Sequence, residues 1–257
     1  MKQHIEDDRF PEWRPFVEAV QERRPDTGTW CEAWTVRDIV IHQAGNAEEL
    51  ARVLGAHLAG EPVGTRSFEE REAPLRALGD ADLWDALADR MANLNRVAAA
   101  AEEVPADTDV AWTGRTMKVP WFAEHMREEL VLHGWDITGD RDTPTAFQTA
   151  LAEPWMTTHS VVAVGRPLLA KGAKQLQPGE RIEARLRVAH GDDVLVSADV
   201  DSTTIGLTDP EGPATLETDD AARVLLLWGR RPGDPTRICS RVGPEALGQV
   251  RRLLSGY

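Results

Sequence analysis

The spacing of apolar residues changes at about residue 140 and divides the chain into two parts. Apolar side chains recur every three or four residues in VRDIVIHQAGNAEELARVLGAHLAG, DADLWDALADRMANLNRVAAAAEEV and WFAEHMREELVLHGWDIT. This spacing is typical of amphipathic helices, which turn once in about 3.6 residues. With a first helix around residues 10–24, this part has four predicted helices and no strand-like alternation. Such helices, joined by loops of moderate length, pack most simply as a bundle.

Local signals predict where two of these helices begin and end. Thr35, with Asp38 three residues later, is the predicted N-cap of the second helix. Asp80 or Asp82 is predicted to cap the third helix, and Pro105 marks its predicted end.

A different pattern follows the turn-forming segment GDRDTPT, where we place the domain boundary. A helical segment at roughly 146–170 precedes RIEARLRVA, VLVSADVD and TIGLTD, which alternate like antiparallel strands. The helical DAARVLLLWG, a short strand around residues 238–242 and a final helix PEALGQVRRLLSGY complete the chain. The predicted fold class is α plus α+β, with a four-helix bundle over residues 1–142 and a smaller α+β domain with an antiparallel sheet over residues 143–257.

Charge and composition limit the partners of the chain. The formal net charge is -14, whereas binding nucleic acid requires clustered Lys and Arg side chains. No segment reaches the roughly 18 apolar residues that span a bilayer, and the acidic start MKQHIEDDRF does not resemble a secretory signal. Cys31 and Cys239 form neither a disulfide framework nor a zinc-thiolate cluster. We therefore expect a cytoplasmic protein without nucleic acid or membrane partners. The oligomeric state is left open between a monomer and a homodimer.

The stretch HMREELVLHGWD contains several potential metal ligands. Residues four apart share a helix face, so His125, Glu129 and His133 form a series, whereas Glu128 lies about 140° from His133. Asp136 returns to within about 20° of Glu129. Glu129 and His133 would give a divalent ion one oxygen and one nitrogen, and the ion then needs at least one more protein ligand. The alternative is an ordinary polar pair on a solvated helix face.

Two features favour a buried site over a solvated face. Apolar residues from Trp121 to Ile137 surround the motif, so Glu129 is expected to be buried and to need a partner. Another helix carries His42 within the apolar run DIVIHQAG. A core histidine is often simply hydrogen-bonded, but here His42 could be the missing third ligand.

Three segments resemble the mycothiol-dependent maleylpyruvate isomerase family, a branch of the DinB-like metal-binding bundles. CEAWTVRDIVIHQAGN resembles the family pattern Cys-Pro-Gly-Trp-Thr-Val-Arg-Asp followed by His-Leu-Ala-Gly. EELVLHGWDI is similar to the Glu-x-x-x-His-x-x-Asp segment, and LLLWGRRPGD to the Leu-Trp-Gly-Arg element of the second domain. The chain departs from the pattern at Glu32-Ala33, where the family has Pro-Gly, and at Gln43, where it has Leu. Neither departure removes a ligand, but Gln43 can alter the pocket, so the substrate can differ from maleylpyruvate.

The resemblance implies a divalent ion, usually zinc, held by His42, Glu129 and His133, with water or a thiol in the open position. It also implies a C-terminal domain similar to sterol-carrier proteins in fold, which helps to close the pocket and contributes an arginine. Arg230 is the candidate for this catalytic role.

Other polar residues near these motifs have open roles. Arg231 and Arg237 are alternatives to Arg230, and an ordinary ion pair is another explanation of that arginine. His125 has no counterpart in the family pattern, which leaves it beside the ligands or at the surface. Asp38 and Asp136 could each accept a hydrogen bond from an imidazole and orient it, or could serve only the local helix structure.

The predicted function is that of an enzyme, a mycothiol-dependent transferase or isomerase. A metal-bound thiolate would be used for S-transfer to, or cis–trans isomerisation of, an electrophilic small molecule. Two alternatives stay open at this point. The same ligands could support a zinc-dependent hydrolase that uses metal-bound water, or a module that binds metal and thiol without turnover.

Overall fold

The computed structural model describes residues 9–255. The chain divides into two units, the first ending at Gly139 and the second beginning at Asp140. Within the described residues, no helix combines the length and the apolar character needed to cross a membrane.

Helices make up most of the first unit, as the apolar spacing predicts. They are α1 (Trp13–Gln21), α2 (Val36–Leu58), α3 (Phe68–Arg76), α4 (Asp80–Ala101) and α5 (Trp121–Thr138), and a hairpin of β1 (Asp109–Trp112) and β2 (Arg115–Lys118) precedes α5. Helix α2 packs against α3, α4 and α5, while α1 packs on α5. Leu50, Leu87 and Leu130 are fully buried in this core. The predicted bundle is confirmed, and it makes neighbours of α2 and α5, the two helices that carry the candidate ligands.

The capping prediction is right for α2 and wrong for α4. The Thr35 hydroxyl accepts from the backbone N–H of Asp38, and the Asp38 carboxylate accepts in return from the N–H of Thr35 at 3.0 Å. The N-cap of α4 is Gly79, with no capping side chain, so neither Asp80 nor Asp82 is the cap. Both aspartates lie in the first turn, where the helix dipole favours a negative charge.

Helix α3 and the hairpin were not predicted, because their sequence signals are weak. The α3 sequence FEEREAPLR has almost no apolar stripe, and its clearest signal is the capping box of Ser67 and Glu70. The hairpin turns at Thr113 and Gly114, which have φ of 42° and 75°. Positive φ at both positions is typical of a type I′ turn, but Asn is much more common than Thr at the first of them.

The second unit is an α+β domain, as predicted. Its elements are α6 (Ala146–Leu151), α7 (Pro154–Thr158), a π-helical turn (His159–Val164), α8 (Pro167–Ala173), β3 (Ile182–Arg187), β4 (Asp193–Ala198), β5 (Thr203–Thr208), β6 (Leu216–Thr218), α9 (Asp220–Leu227), a 3-10 turn (Pro235–Arg237), β7 (Ile238–Ser240) and α10 (Pro244–Leu253). The strand order is β5-β4-β3-β6-β7.

Two details of this unit differ from the sequence prediction. The helix expected over 146–170 is broken into shorter pieces, because Pro154 and Pro167 each start a new helix and Gly165 has a φ of 64°. Strand β6 was missed because it has three residues, and its parallel pairing with β3 makes the sheet mixed. Residues 256–257 of the predicted last helix lie outside the described residues.

Candidate metal centre

Helices α2 and α5 bring the three candidate ligands together. His42 Nε2 lies 3.3 Å from Glu129 Oε2, and His133 Nε2 lies at the same distance from that oxygen. One ligand atom from each residue falls within 4.8 Å of the other two. His42, Glu129 and His133 are 7%, 5% and 5% exposed, so three polar groups converge in a buried space. The solvated-face alternative for this motif is therefore wrong.

The other ring nitrogen of each histidine faces a carboxylate. His42 Nδ1 lies 3.0 Å from Glu72 Oε1, on α3. His133 Nδ1 lies 2.8 Å from Asp136 Oδ2, an ion-pair distance. A carboxylate behind Nδ1 holds the ring with Nε2 free to bind a metal ion, an arrangement common among metal-ligating histidines.

The prediction that Asp38 could orient His42 is wrong. The Asp38 carboxylate accepts from Thr35 and lies 3.1 Å from Arg76, so it serves the start of α2 instead. Glu72 takes the orienting position, and sequence reasoning missed it because α3 was not predicted. Asp136, the other carboxylate considered for this role, lies beside His133 Nδ1.

Neighbouring charged groups raise the pKa of His42 and lower the pKa of Glu129. Burial alone would lower the pKa of His42, but Glu129 and Glu72 outweigh it and raise that pKa. Burial alone would raise the pKa of Glu129, but His133 and His42 outweigh it and hold the pKa well below its ordinary value. Glu129 is thus an anion at neutral pH, which is the form that binds a metal ion.

A loop before α2 places Trp34 against the two histidines. The indole stacks on His133 at 5.5 Å between ring centroids and meets the edge of His42 at 5.0 Å. Phe68 of α3 lies 5.5 Å from the His42 ring and is 47% exposed. The aromatic wall is therefore exposed in part, which would let a small molecule approach the histidines.

The same loop explains the Pro-Gly of the family pattern. Trp34 N–H donates to the Cys31 carbonyl at 3.0 Å and closes a tight turn. Ala33 has a φ of 66° in this turn, as position i+2 of a type II turn requires, where Gly is preferred and Pro commonly precedes it. In this chain Glu32 and Ala33 occupy those two positions, so Ala33 is strained.

Replacing Ala33 with Gly is expected to stabilise the protein. A non-glycine residue with left-handed φ costs about 1–2 kcal/mol, and the greater freedom of Gly in the unfolded chain offsets part of that gain. We expect a net increase of about 0.5–1 kcal/mol in the free energy of unfolding, measured by urea denaturation. Ala99→Gly, in the exposed part of α4, is the control and should lower it by about 0.5–1 kcal/mol. A loss of stability in both variants would contradict the strain at Ala33.

His125 and Gln43 lie beside the ligands. His125 is 4% exposed, and its Nε2 lies 3.8 Å from Glu129 Oε1, so the surface role considered for it is wrong. Gln43 is fully buried and donates to the backbone carbonyl of Glu129 at 3.2 Å. Gln43, which replaces the Leu of the family pattern, therefore stabilises the helix turn that carries the candidate ligand Glu129.

The arginines of the second unit have separate surroundings. Arg230 is half-buried and donates to the Trp228 carbonyl at 3.3 Å. Arg237 pairs with Asp219 at 2.7 Å and with Asp140 at 3.0 Å, as a structural arginine does. Arg231 is exposed. The catalytic role of Arg230 stays a prediction.

The donor set of the first unit fits a divalent metal ion. Two imidazole nitrogens and one carboxylate oxygen are ligands that zinc binds in catalytic sites, where three protein ligands leave a fourth position open. Both Nε2 atoms point at the same anionic oxygen, and a cation between them would satisfy all three groups. Such a site can bind and activate a thiol or a water molecule.

Comparisons with known proteins show the family of the bundle and the fold of the chain. The family model of the mycothiol maleylpyruvate isomerase N-terminal domain matches residues 9–138. Two crystal structures of the mycothiol-dependent maleylpyruvate isomerase, one of a histidine-to-alanine mutant, are each 18% identical to the chain. Each aligns with a TM-score of 0.59 over 94% of this chain and 95% of its own. No curated protein matches the chain. The structural likeness supports the fold of both units, and the family match covers the bundle.

Proposed function

Because the chain belongs to the mycothiol maleylpyruvate isomerase N-terminal domain family, we propose that it is a mycothiol-dependent isomerase or S-transferase. Its substrate is a small electrophile. The observation that carries the proposal is the convergence of His42, Glu129 and His133 within 4.8 Å in a buried space. These three residues would hold a divalent ion, and zinc fits the two nitrogens and one oxygen best.

The residues around this site favour the binding of one cation. Glu129 supplies the negative charge, and its lowered pKa keeps it ionised across the neutral range. Glu72 and Asp136 hold the two imidazole rings from behind. Trp34 packs against both histidine rings.

A zinc ion in this position would supply one kind of chemistry, since it lowers the pKa of a coordinated thiol and favours the thiolate at neutral pH. A thiolate adds to an electrophilic carbon much faster than a thiol does. Addition, bond rotation and elimination would isomerise an unsaturated substrate, whereas addition or displacement alone would transfer the sulfur. Arg230 would contribute a positive charge to an anionic substrate in this proposal.

The test is thiol-dependent turnover by the zinc-loaded protein. Maleylpyruvate and a panel of activated electrophiles are each incubated with and without mycothiol, and products and conjugates are measured by mass spectrometry. Chelator-treated protein and the same protein reloaded with zinc serve as controls. Turnover that needs both mycothiol and zinc would support the proposal. Zinc-dependent turnover without a thiol would indicate a hydrolase, and binding of zinc and thiol without any product would indicate a binding module.

The carboxylates behind the histidines are expected to matter for metal affinity. Glu72→Gln and Asp136→Asn should each weaken zinc binding by about 10- to 100-fold, the usual effect of losing such a partner. Competition with a chromogenic chelator measures the affinity. Glu69→Gln, on the exposed side of α3, is the matched control and should bind zinc like the wild type. Unchanged affinity in both test variants would show that these carboxylates do not support the ligands.

A further inference from the structure

Asn46 lies beside the candidate metal centre. It follows His42 by one helical turn on α2 and is 5% exposed. Its amide nitrogen Nδ2 lies 3.0 Å from His42 Nε2, the nitrogen that faces Glu129. A buried amide group is thus held next to a candidate ligand atom.

Arg71 determines which way the Asn46 amide points. Its Nη1 donates to Asn46 Oδ1 at 2.9 Å. A guanidinium has only donors, so the atom of Asn46 that faces it must be the oxygen, and the N–H groups are then directed at His42. Asn46 therefore presents a donor to the centre.

Arg71 is itself held in place by α3. It is 4% exposed, donates through Nε to the Ser67 carbonyl at 3.3 Å, and lies with its Cζ 4.3 Å from the centre of the Phe68 ring. The two helices lie close together at Gly45, where an added Cβ would be in van der Waals contact with Arg71 and Glu72 at 3.5 Å. The orientation of Asn46 is thus fixed by contacts between α2 and α3.

A metal ion at His42 would change what the Asn46 donor can bind. Asn46 Nδ2 lies within hydrogen-bond distance of His42 Nε2. A metal ion held at Nε2 would use the lone pair of that nitrogen, so Nε2 could not also accept a hydrogen bond from Asn46. A buried donor without an acceptor is unfavourable, and an anionic ligand atom beside the ion would restore the hydrogen bond.

We propose that Asn46 is a ligand-binding residue whose amide N–H donates to the thiolate sulfur of the low-molecular-weight thiol, and that Arg71 is the positioning residue that orients it. This inference rests on the proposed function, because it takes the metal at His42 and the thiol in the open position as given. It adds a hydrogen-bond donor to the thiol site beside the metal ligands.

The experiment uses the full chain loaded with Co²⁺, whose absorption spectrum reports a bound thiolate directly. Wild type, Asn46→Ala, Asn46→Asp and Arg71→Leu are titrated first with Co²⁺ alone and then with mycothiol or 2-mercaptoethanol. Asn93→Ala, on α4, is the matched control. Asn46→Asp keeps the shape of the side chain and removes the donor, so it serves even where Asn46→Ala does not fold.

We expect Co²⁺ affinity to stay within about threefold of wild type in Asn46→Ala, while thiol affinity falls by about ten- to a hundredfold, the range for a hydrogen bond to a charged atom. Arg71→Leu should weaken thiol binding less than the loss of Asn46 does. The sulfur-to-cobalt absorption band should move to longer wavelength in the Asn46 variants, because a hydrogen bond to sulfur makes it a weaker electron donor.

Thiol affinity and an absorption band equal to those of wild type in both Asn46 variants would overturn the inference. A parallel loss of Co²⁺ affinity would also overturn it, since Asn46 would then act on the ion or on the fold. If the wild-type protein binds no metal, or binds metal but no thiol, both the proposed function and this inference are refuted. This outcome is distinguishable from failure of the inference alone, because it appears in the wild type without any variant.

Discussion

Zinc affinity is expected to fall by more than a hundredfold when His42 or Glu129 is replaced by alanine. Loss of a partner behind a ligand already costs about 10- to 100-fold, and each of these changes removes a ligand itself. His42 provides the nitrogen of α2, so His42→Ala leaves α5 alone with two ligands. Glu129→Ala removes the anion that both Nε2 atoms face at 3.3 Å. Thiol-dependent turnover should disappear in both variants.

Metal content after dialysis and a chelator competition give the measurement. The control is His57→Ala, which removes a half-buried histidine from the last turn of the same helix. It should keep one zinc per chain and the turnover of the wild type. Full stoichiometric zinc in both His42→Ala and Glu129→Ala would refute the three-residue site, whatever their activity.

The second large effect is expected from Gly139→Ala, at the end of α5. Gly139 has a φ of 68° and a ψ of -172°, a conformation found almost only in Gly. A Cβ at this position would lie 2.1 Å from Trp30 Nε1, so the indole must move. The Trp30 ring packs on Trp135 at 5.6 Å between ring centroids, and the backbone N–H of Trp30 donates to the Asp136 carbonyl at 2.8 Å. We expect a loss of about 3 kcal/mol in the free energy of unfolding, as strain and lost packing add.

Gly60→Ala separates the two causes of this loss. Gly60 has a φ of 77°, and no atom lies near the position of an added Cβ, so only backbone strain should appear, at about 1 kcal/mol. Urea denaturation compares the two variants. Weaker zinc binding in Gly139→Ala alone is also expected, since Asp136 stands behind His133. Equal losses of stability in both variants would show that Trp30 moves aside without cost.

The helical half of the fold could be predicted because its cause is local. A stripe of Leu and Val residues at three- and four-residue steps has few alternatives to an amphipathic helix. The capping box of Thr35 and Asp38 is equally local, since both partners lie within one turn. The hairpin and β6 were missed because short strands are stabilised by their neighbours in space, and β6 pairs with β3 about 30 residues earlier.

Which residues can share a helix face follows from the sequence alone. The four-residue step from Glu129 to His133 places both side chains on one helix face. The apolar residues around them predict that both side chains are buried. Which polar groups support the candidate ligands depends instead on how the helices pack together. Glu72 and Arg71 come from α3, a helix too polar to be predicted, and reach His42 and Asn46 across a helix contact at Gly45. The physical reason is that periodicity records how one helix buries its own face, whereas a hydrogen bond between helices depends on how closely and at what register they pack.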